Sequence, residues 1–251
     1  MLTSERKALI LQVLQRDGRL VAKEFSLQLG VSEDTIRRDL RELAAEGRLQ
    51  RVHGGALPSS PAVVDFGARE RTGLTVKASL GRVAARMIEP GQVVFLDGGT
   101  TNVQLARQLS PDLKAVIVTH SPSIAVELAH HPTVEVELIG GRLFKHSIVA
   151  VGATTAEAIS RIRVDLFFMG ATGVHPETGV TTADREEAAI KRQIARQAAE
   201  TIVLATREKL GAASPYQIVP LAEIGTVVTE SGLPSEMGGA LRAAGVTVIE
   251  A

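Results

Sequence analysis

Apolar positions along the chain change period twice. In residues 4–15 Ile10, Val13 and Leu14 recur at helical spacing, and Gly18 follows as a stop. The pattern predicts a second short helix over 22–29, closed by Gly30, and a third over 32–46, closed by Gly47. Leu49-Gln50-Arg51-Val52 alternates like a short strand, and Arg19-Leu20-Val21 is its expected partner. Residues 58–74 have no clear period. Pro58-Ser59-Ser60-Pro61 breaks the composition there, which predicts a linker with some attached structure. From Thr75 onward short apolar runs at 93–96, 115–119, 134–139, 165–169, 201–205, 226–229 and 246–249 alternate with helical patterns at 77–87, 101–109, 123–129, 153–159, 185–199 and 236–243. Buried strands alternating with amphipathic helices predict a mostly parallel sheet covered on both faces. The expected class is therefore α/β: a small helical domain over 1–57, a linker over 58–74, and a larger α/β domain over 75–251.

Composition narrows the chemistry. The chain has 251 residues, 45% apolar and 22% charged, an ordinary globular balance with room for two domains. Twenty-eight basic residues face twenty-eight acidic ones, so the net charge is zero, unlike a generally basic nucleic-acid binder. The sum hides a small asymmetry, since residues 1–57 hold ten Lys/Arg against eight Asp/Glu. Five of those ten, Arg37, Arg38, Arg41, Arg48 and Arg51, fall within fifteen residues. With no cysteine, disulfides, thiolate zinc sites and cysteine nucleophiles are excluded, and no metal or cofactor is expected. No apolar run reaches membrane-span length and no signal-like apolar stretch follows Glu5-Arg6-Lys7, so a cytoplasmic protein without a membrane partner is expected. Aromatics are 3% of the chain, which weakens any scheme that stacks bases or sugar rings.

The third predicted helix carries the first candidate chemistry. Ser32 is a good N-cap, and Glu33 and Asp34 place acid in the first turn. Ile36, Leu40, Leu43 and Ala44 line one face, Arg38 and Arg41 lie opposite, and Arg37 lies at the flank. Such a helix suits the major groove of DNA, with arginines gripping phosphates or guanine edges and Ser32 and Thr35 near the leading end. The alternative is a solvated helix face. The run from Val31-Ser32-Glu33-Asp34-Thr35-Ile36-Arg37-Arg38-Asp39-Leu40 through Leu43 and Gly47 to Arg51-Val52-His53-Gly54-Gly55-Ala56 resembles the DeoR family of bacterial transcriptional regulators. The resemblance implies a winged helix-turn-helix domain with its recognition helix at 32–46. It also implies a wing strand at 49–52 that brings Arg51 and His53 close to the DNA backbone. For His53, turn chemistry ahead of Gly54-Gly55 stands as an equal reading.

In the second domain the most informative loop is Asp97-Gly98-Gly99-Thr100-Thr101, between an apolar strand and a helix. Glycines allow close backbone approach, a helix N-terminus supplies unpaired amides, and threonines add donors, which together suit an anion. A plain turn with a threonine cap is the alternative. His120, Gly141, Gly170, Gly173 and Lys209 follow later strands, as though one polar pocket formed at the strand ends. These blocks resemble the C-terminal effector domain of the same family, which is similar in fold to sugar-phosphate isomerases of the ribose-phosphate type. The resemblance implies a phosphorylated sugar or related metabolite, with its phosphate on residues 97–101, its hydroxyls on Asp97 and an anionic group on Lys209. It also implies a homodimer or homotetramer. Related isomerases keep an acid and a lysine near Glu187 and Lys191, which are read here as a surface i,i+4 salt bridge. Two departures stand out: His120 replaces a usual Asn, and Thr206-Arg207-Glu208-Lys209 replaces Asp-x-Ser-Lys, with Arg207 as a substitute phosphate contact. The expected function is a sequence-specific regulator, a repressor of a sugar operon, that binds a double-stranded operator under control of a phosphorylated metabolite. The alternative is a sugar-phosphate isomerase-like enzyme with an accessory helical domain. No acid–base pair stands out, so no catalytic residue is expected.

Overall fold

Left-handed glycines punctuate the N-terminal helices where the sequence placed stops. In the computed structural model, which describes residues 2–59 and 66–251, α1 (Thr3–Asp17) ends at Gly18 with φ 71°. The strand β1 (Leu20–Val21) leads into α2 (Ala22–Leu29), which ends at Gly30 with φ 63°. Next comes α3 (Glu33–Ala45), capped by the Ser32 side chain, which accepts from the Thr35 amide at 3.2 Å. A hairpin of β2 (Leu49–Val52) and β3 (Gly55–Pro58) completes the unit. Ile10, Leu14, Phe25, Ile36, Leu40, Leu43 and Leu49 form its core. A charged pair is buried with them: Arg6 of α1 grips Asp39 on the inner face of α3, with Nη2 donating to Oδ1 at 3.0 Å.

Strand pairing differs from expectation here. The sheet order is β1-β3-β2, antiparallel throughout, so residues 20–21 pair with β3 and not with 49–52. Residues 55–57 are all buried and do not alternate, which hid this strand in the sequence. Gly55 is required by the close approach, because a Cβ there would strike the Leu20 carbonyl oxygen.

The predicted linker is partly structured. Residues 60–65 lie outside the described residues, but Phe66–Arg71 form α4, with Phe66 buried in one core of the second unit. The second unit then runs α5 (Leu74–Ala85), β4 (Val93–Leu96), α6 (Thr100–Arg107), β5 (Val116–Thr119), α7 (Pro122–Leu128) and β6 (Glu135–Leu138). It continues with β7 (Arg142–Phe144), β8 (Val149–Val151), α8 (Ala153–Ser160), β9 (Val164–Gly170), β10 (Gly173–His175) and β11 (Gly179–Thr182). It finishes with α9 (Arg185–Gln197), β12 (Ala198–Leu204), β13 (Tyr216–Val219), β14 (Thr226–Thr229), α10 (Ser235–Ala243) and β15 (Thr247–Glu250).

All seven runs expected as buried strands join one parallel sheet of order β15-β14-β12-β9-β4-β5-β6. Alternate side chains separate two cores, as the strand period requires. Phe95, Phe167, Met169 and Val203 pack with α8, α9 and α10, whereas Leu96, Phe168, Ile202 and Leu204 pack with α4, α5, α6 and α7. The short antiparallel sheet β10-β11-β13 and the hairpin β7-β8 were not anticipated. The chain first adds β5 and β6 on one side of β4, then places β9 on the other. That reversal opens a crevice beyond the carboxyl ends of β4 and β9, where ligands of open parallel sheets collect. Among the described residues no helix is long and apolar enough to cross a membrane.

Candidate functional sites

Asp97 and Gly170 stand at the two strand ends that flank this crevice. A cavity of about 430 Å³, part of it open to solvent, is lined there by Gly98, Gly99, Thr100, Thr101, Asn102, Gly170, Thr172, Glu187, Lys191 and Lys209, together with Arg69 of α4. Gly99 has φ 122° and starts α6, whose first intrahelical bond is Val103 N–H to the Gly99 carbonyl at 3.0 Å. The amides of Thr100, Thr101 and Asn102 therefore have no partner within the helix. Close approach explains the glycines: a Cβ on Gly98 would strike Val149, and one on Gly170 would lie 2.7 Å from the Gly98 carbonyl oxygen.

Beneath the cavity lies a buried charge network. Asp97 Oδ1 accepts from the Gly98 amide at 2.7 Å and sits 2.9 Å from His120 Nε2, while Oδ2 accepts from the Gly170 amide at 2.8 Å and from Lys191 Nζ at 3.0 Å. Lys191 also donates to Glu187 Oε1 at 3.1 Å and to the Gly170 carbonyl at 2.7 Å, and Glu187 Oε2 accepts from the Thr182 hydroxyl at 2.6 Å. Burial works to raise the Asp97 carboxyl, but the Lys191 ammonium and the His120 ring outweigh it and hold it below the usual range. Glu187 is likewise held down against burial, chiefly by Lys191. For Lys191, burial acts to lower the ammonium, yet Asp97 and Glu187 prevail and raise it. His120 Nδ1 lies 2.8 Å from the Ala150 carbonyl oxygen, so both ring nitrogens face acceptors.

Several sequence expectations are corrected by this geometry. Glu187 and Lys191 are not a surface pair; both are at least 96% buried and belong to the network. Asp97 is fully buried with both oxygens engaged, so it supports the loop from below and leaves no oxygen for a sugar hydroxyl. His120 lies behind Asp97, not on the cavity wall. Gly141 and Gly173 do not line the cavity either, since their missing side chains make room for Thr155 and for the Ala212 carbonyl. Arg207 is no substitute phosphate contact: its guanidinium donates to the carbonyls of Ser231 and Gly232 at 2.7 and 2.8 Å. The Thr206 hydroxyl turns to Glu208 Oε1 at 3.3 Å.

Gly98, Gly99, Thr100, Thr101, Gly170 and Lys209 do converge on the cavity. Lys209 lines its wall and forms no ion pair among the described residues. Burial depresses its ammonium to about 8, and the nearby charges of Arg69 and Lys77 add to the depression. Sequence reasoning missed Arg69 and Asn102. Asn102 donates to the carbonyls of Asp97 and Phe168 at 2.9 and 3.0 Å, which leaves its Oδ1 without a donor.

On the N-terminal unit, α3 turns Arg37, Arg38 and Arg41 outward. Arg37 pairs with Glu33 at 2.7 Å, while Arg38 and Arg41 form no ion pair among the described residues. Ser32 Oγ lies 2.8 Å from Thr35 Oγ1 at the leading end of the helix. Arg51 is exposed on β2, and His53 occupies the turn before β3. Both line a groove between the hairpin and α3, shared with Arg37.

Residues 6–61 match the family model of the DeoR-like helix-turn-helix domain, and residues 73–231 match that of the DeoR C terminal sensor domain. This chain belongs to the DeoR family. It is 37% identical to the HTH-type transcriptional regulator GlpR of Haloferax volcanii, over 100% of this chain and 98% of that relative. It is 31% identical to a putative aga operon transcriptional repressor of Escherichia coli O157:H7, over 98% and 93% of the two chains. With the HTH-type transcriptional repressor GlcR of Bacillus subtilis it shares 34% identity, over 94% and 91%. A DeoR helix-turn-helix joined to a DeoR sensor domain, in a chain that matches such regulators end to end, makes this protein a DNA-binding transcriptional regulator and not an enzyme. Among solved structures, ribose 5-phosphate isomerase A of Methanocaldococcus jannaschii aligns over 53% of each chain at 17% identity, with a TM-score of 0.40. That overlap is too loose to assign chemistry.

Proposed function

We propose that this DeoR-family chain is a cytoplasmic repressor of a sugar or carbohydrate operon, released or engaged by a phosphorylated sugar or related metabolite in the cavity above Asp97. The observation that carries this reading is Lys209, a cation on the cavity wall with no carboxylate partner among the described residues, facing a cavity that the first turn of α6 also lines. A phosphate satisfies both, and the unclaimed Asn102 Oδ1 suits a ligand hydroxyl. On the DNA side, Arg38 and Arg41 read or grip the major groove, Ser32 and Thr35 meet the backbone at the leading end, and Arg37, Arg51 and His53 line the flank. A homodimer or homotetramer, assembled through the C-terminal domain, presents recognition helices to two half-sites of a double-stranded operator.

Thermal shift tests the cavity. Ribose 5-phosphate, glucose 6-phosphate and fructose 6-phosphate are titrated against the full chain; a ligand at 100 times its Kd adds roughly 2.7 kcal/mol of stability. The shift is expected to vanish in Lys209→Met and to persist in Lys209→Arg. No shift with any of the three overturns this assignment.

A further inference from the structure

Between β12 and β13 the chain runs through residues 205–215, which touch both working parts of the molecule. First, the 3-10 turn Arg207–Lys209 carries Lys209 to the cavity wall. Leu210 then bridges Val174 of β10, and the Gly211 amide donates to the Val174 carbonyl at 2.8 Å. The Ser214 amide donates to Thr181 Oγ1 at 3.0 Å, and the Ser214 hydroxyl shares a 2.7 Å hydrogen bond with Thr172 on the cavity wall. One residue earlier, Ala213 forms a parallel bridge with Ser59, directly after wing strand β3, and its amide reaches the Pro58 carbonyl at 3.5 Å. Wing strand β2 faces the same stretch: Arg51 and Val52 share a cleft of about 580 Å³, part of it open to solvent, with Ser214 and Gln217.

The junction is lightly made. Among the described residues, besides the Ser59–Ala213 bridge, Arg19 meets Glu177 at 3.9 Å, and both side chains are largely exposed. Contacts of this kind break at small cost, whereas the arm itself is tied to β10 and β11 by shorter hydrogen bonds. A ligand that grips Lys209 thus acts on one end of this stretch, and one that meets Thr172 acts through Ser214 on the end that holds the wing.

We propose that residues 206–215 are the transmission arm of this regulator: occupancy of the cavity repositions the arm and, through the Ala213–Ser59 pairing, docks or releases the wing. The inference rests on the effector reading of the cavity. The two-state element is the docked or undocked wing, and the ligand's differential contact is made at Lys209 and Thr172.

The cysteine-free chain permits a direct test. The double variant Ser59→Cys/Ala213→Cys is prepared in the full chain, oxidised, and compared with its reduced form on a duplex selected from a random pool by the wild-type chain. The cross-link is expected to form, and the Kd of the oxidised form to differ at least fivefold from that of the reduced form. Failure to cross-link, or a difference below fivefold, overturns the arm. In a second arm Ser214→Ala keeps the thermal shift given by the three sugar phosphates but loses at least four-fifths of their effect on DNA affinity; an undiminished effect overturns the route through Ser214. If the wild-type chain shows no thermal shift, the effector reading fails, while the cross-link comparison still judges the arm.

Discussion

Two lysines of one site titrate in opposite directions, and the difference lies in their partners. Lys191 is enclosed by Asp97, Glu187 and a backbone carbonyl, so its charge is held on, whereas Lys209 feels the cations Arg69, Lys77 and Lys191 against Glu208 and forms no ion pair among the described residues. Removing them has different consequences. Lys191→Met leaves two buried carboxylates without their cation and is expected to cost roughly 3–5 kcal/mol, read from chemical melts. Lys209→Met removes a charge that the ligand-free fold does not pair, so it leaves stability equal or higher; an equal loss in both variants contradicts this contrast. The same Lys209 sets a pH dependence. Its folded value of about 8 lies below its ordinary 10.5, so the unfolded chain binds the extra proton between those values and ligand-free stability rises with pH across that window. Anion affinity runs the other way, since at pH 9, one unit above, only roughly one tenth of the ammonium remains. Calorimetric titration of a sugar phosphate is expected to show affinity falling from pH 7 to 9 in the wild type and staying level in Lys209→Arg, whose guanidinium keeps its charge throughout.

At the scale of elements, α3 is the best-specified piece of the molecule. Its cap, its acidic first turn and its apolar stripe were all visible in the sequence, and loss of the cap in Ser32→Ala costs about 1 kcal/mol. Arg38 and Arg41 are exposed without carboxylate partners among the described residues, while Arg37 is engaged by Glu33. Arg38→Ala and Arg41→Ala are therefore expected to weaken duplex binding by about 1–3 kcal/mol each where the side chain reads a base, or to lower the salt slope by about 1 where it grips a phosphate. Gel-shift titrations at two salt concentrations distinguish these outcomes, and unchanged affinity and slope in both variants would remove α3 from the groove. What was overlooked in α3 and α9 has one cause. Asp39 falls on the stripe of Ile36, Leu40 and Leu43, and Glu187 and Lys191 fall on that of Ile190 and Ile194. A charge on a buried stripe signals a partner from elsewhere in the chain, but the partner is not encoded locally. Arg6 lies 33 residues from Asp39, and Asp97 lies 94 residues from Lys191.

The whole molecule joins a reader of DNA to a sensor through one described bridge and a shared cleft. Two such chains on one DNA face place their recognition helices about 34 Å apart, one turn of the duplex. Sedimentation is expected to give a dimer or tetramer, and hydroxyl-radical footprints two protected half-sites at that spacing. A monomer with a single protected site contradicts the proposed assembly. The zero net charge also takes meaning at this scale. A reader unit with only two more basic than acidic residues attracts DNA weakly at long range, so in the proposed complex specificity is expected to rest on a few placed arginines and on the geometry of the proposed assembly.

By itself the sequence determined the seven parallel strands, most helices, the capped α3 and the glycine–threonine loop. These rest on local period, caps and turns, which neighbouring residues fix without help. Only the tertiary structure decided which candidates meet. It turned Asp97 and His120 from ligand contacts into supports beneath the loop and moved Glu187 and Lys191 from the surface to the interior. It also brought Arg69, Asn102 and Thr172 to the cavity and paired residues 20–21 with β3. The physical reason is that strand order at the switch point places residues distant in sequence against one another. Burial of a charge is set by what is packed upon it, not by the residue that carries it.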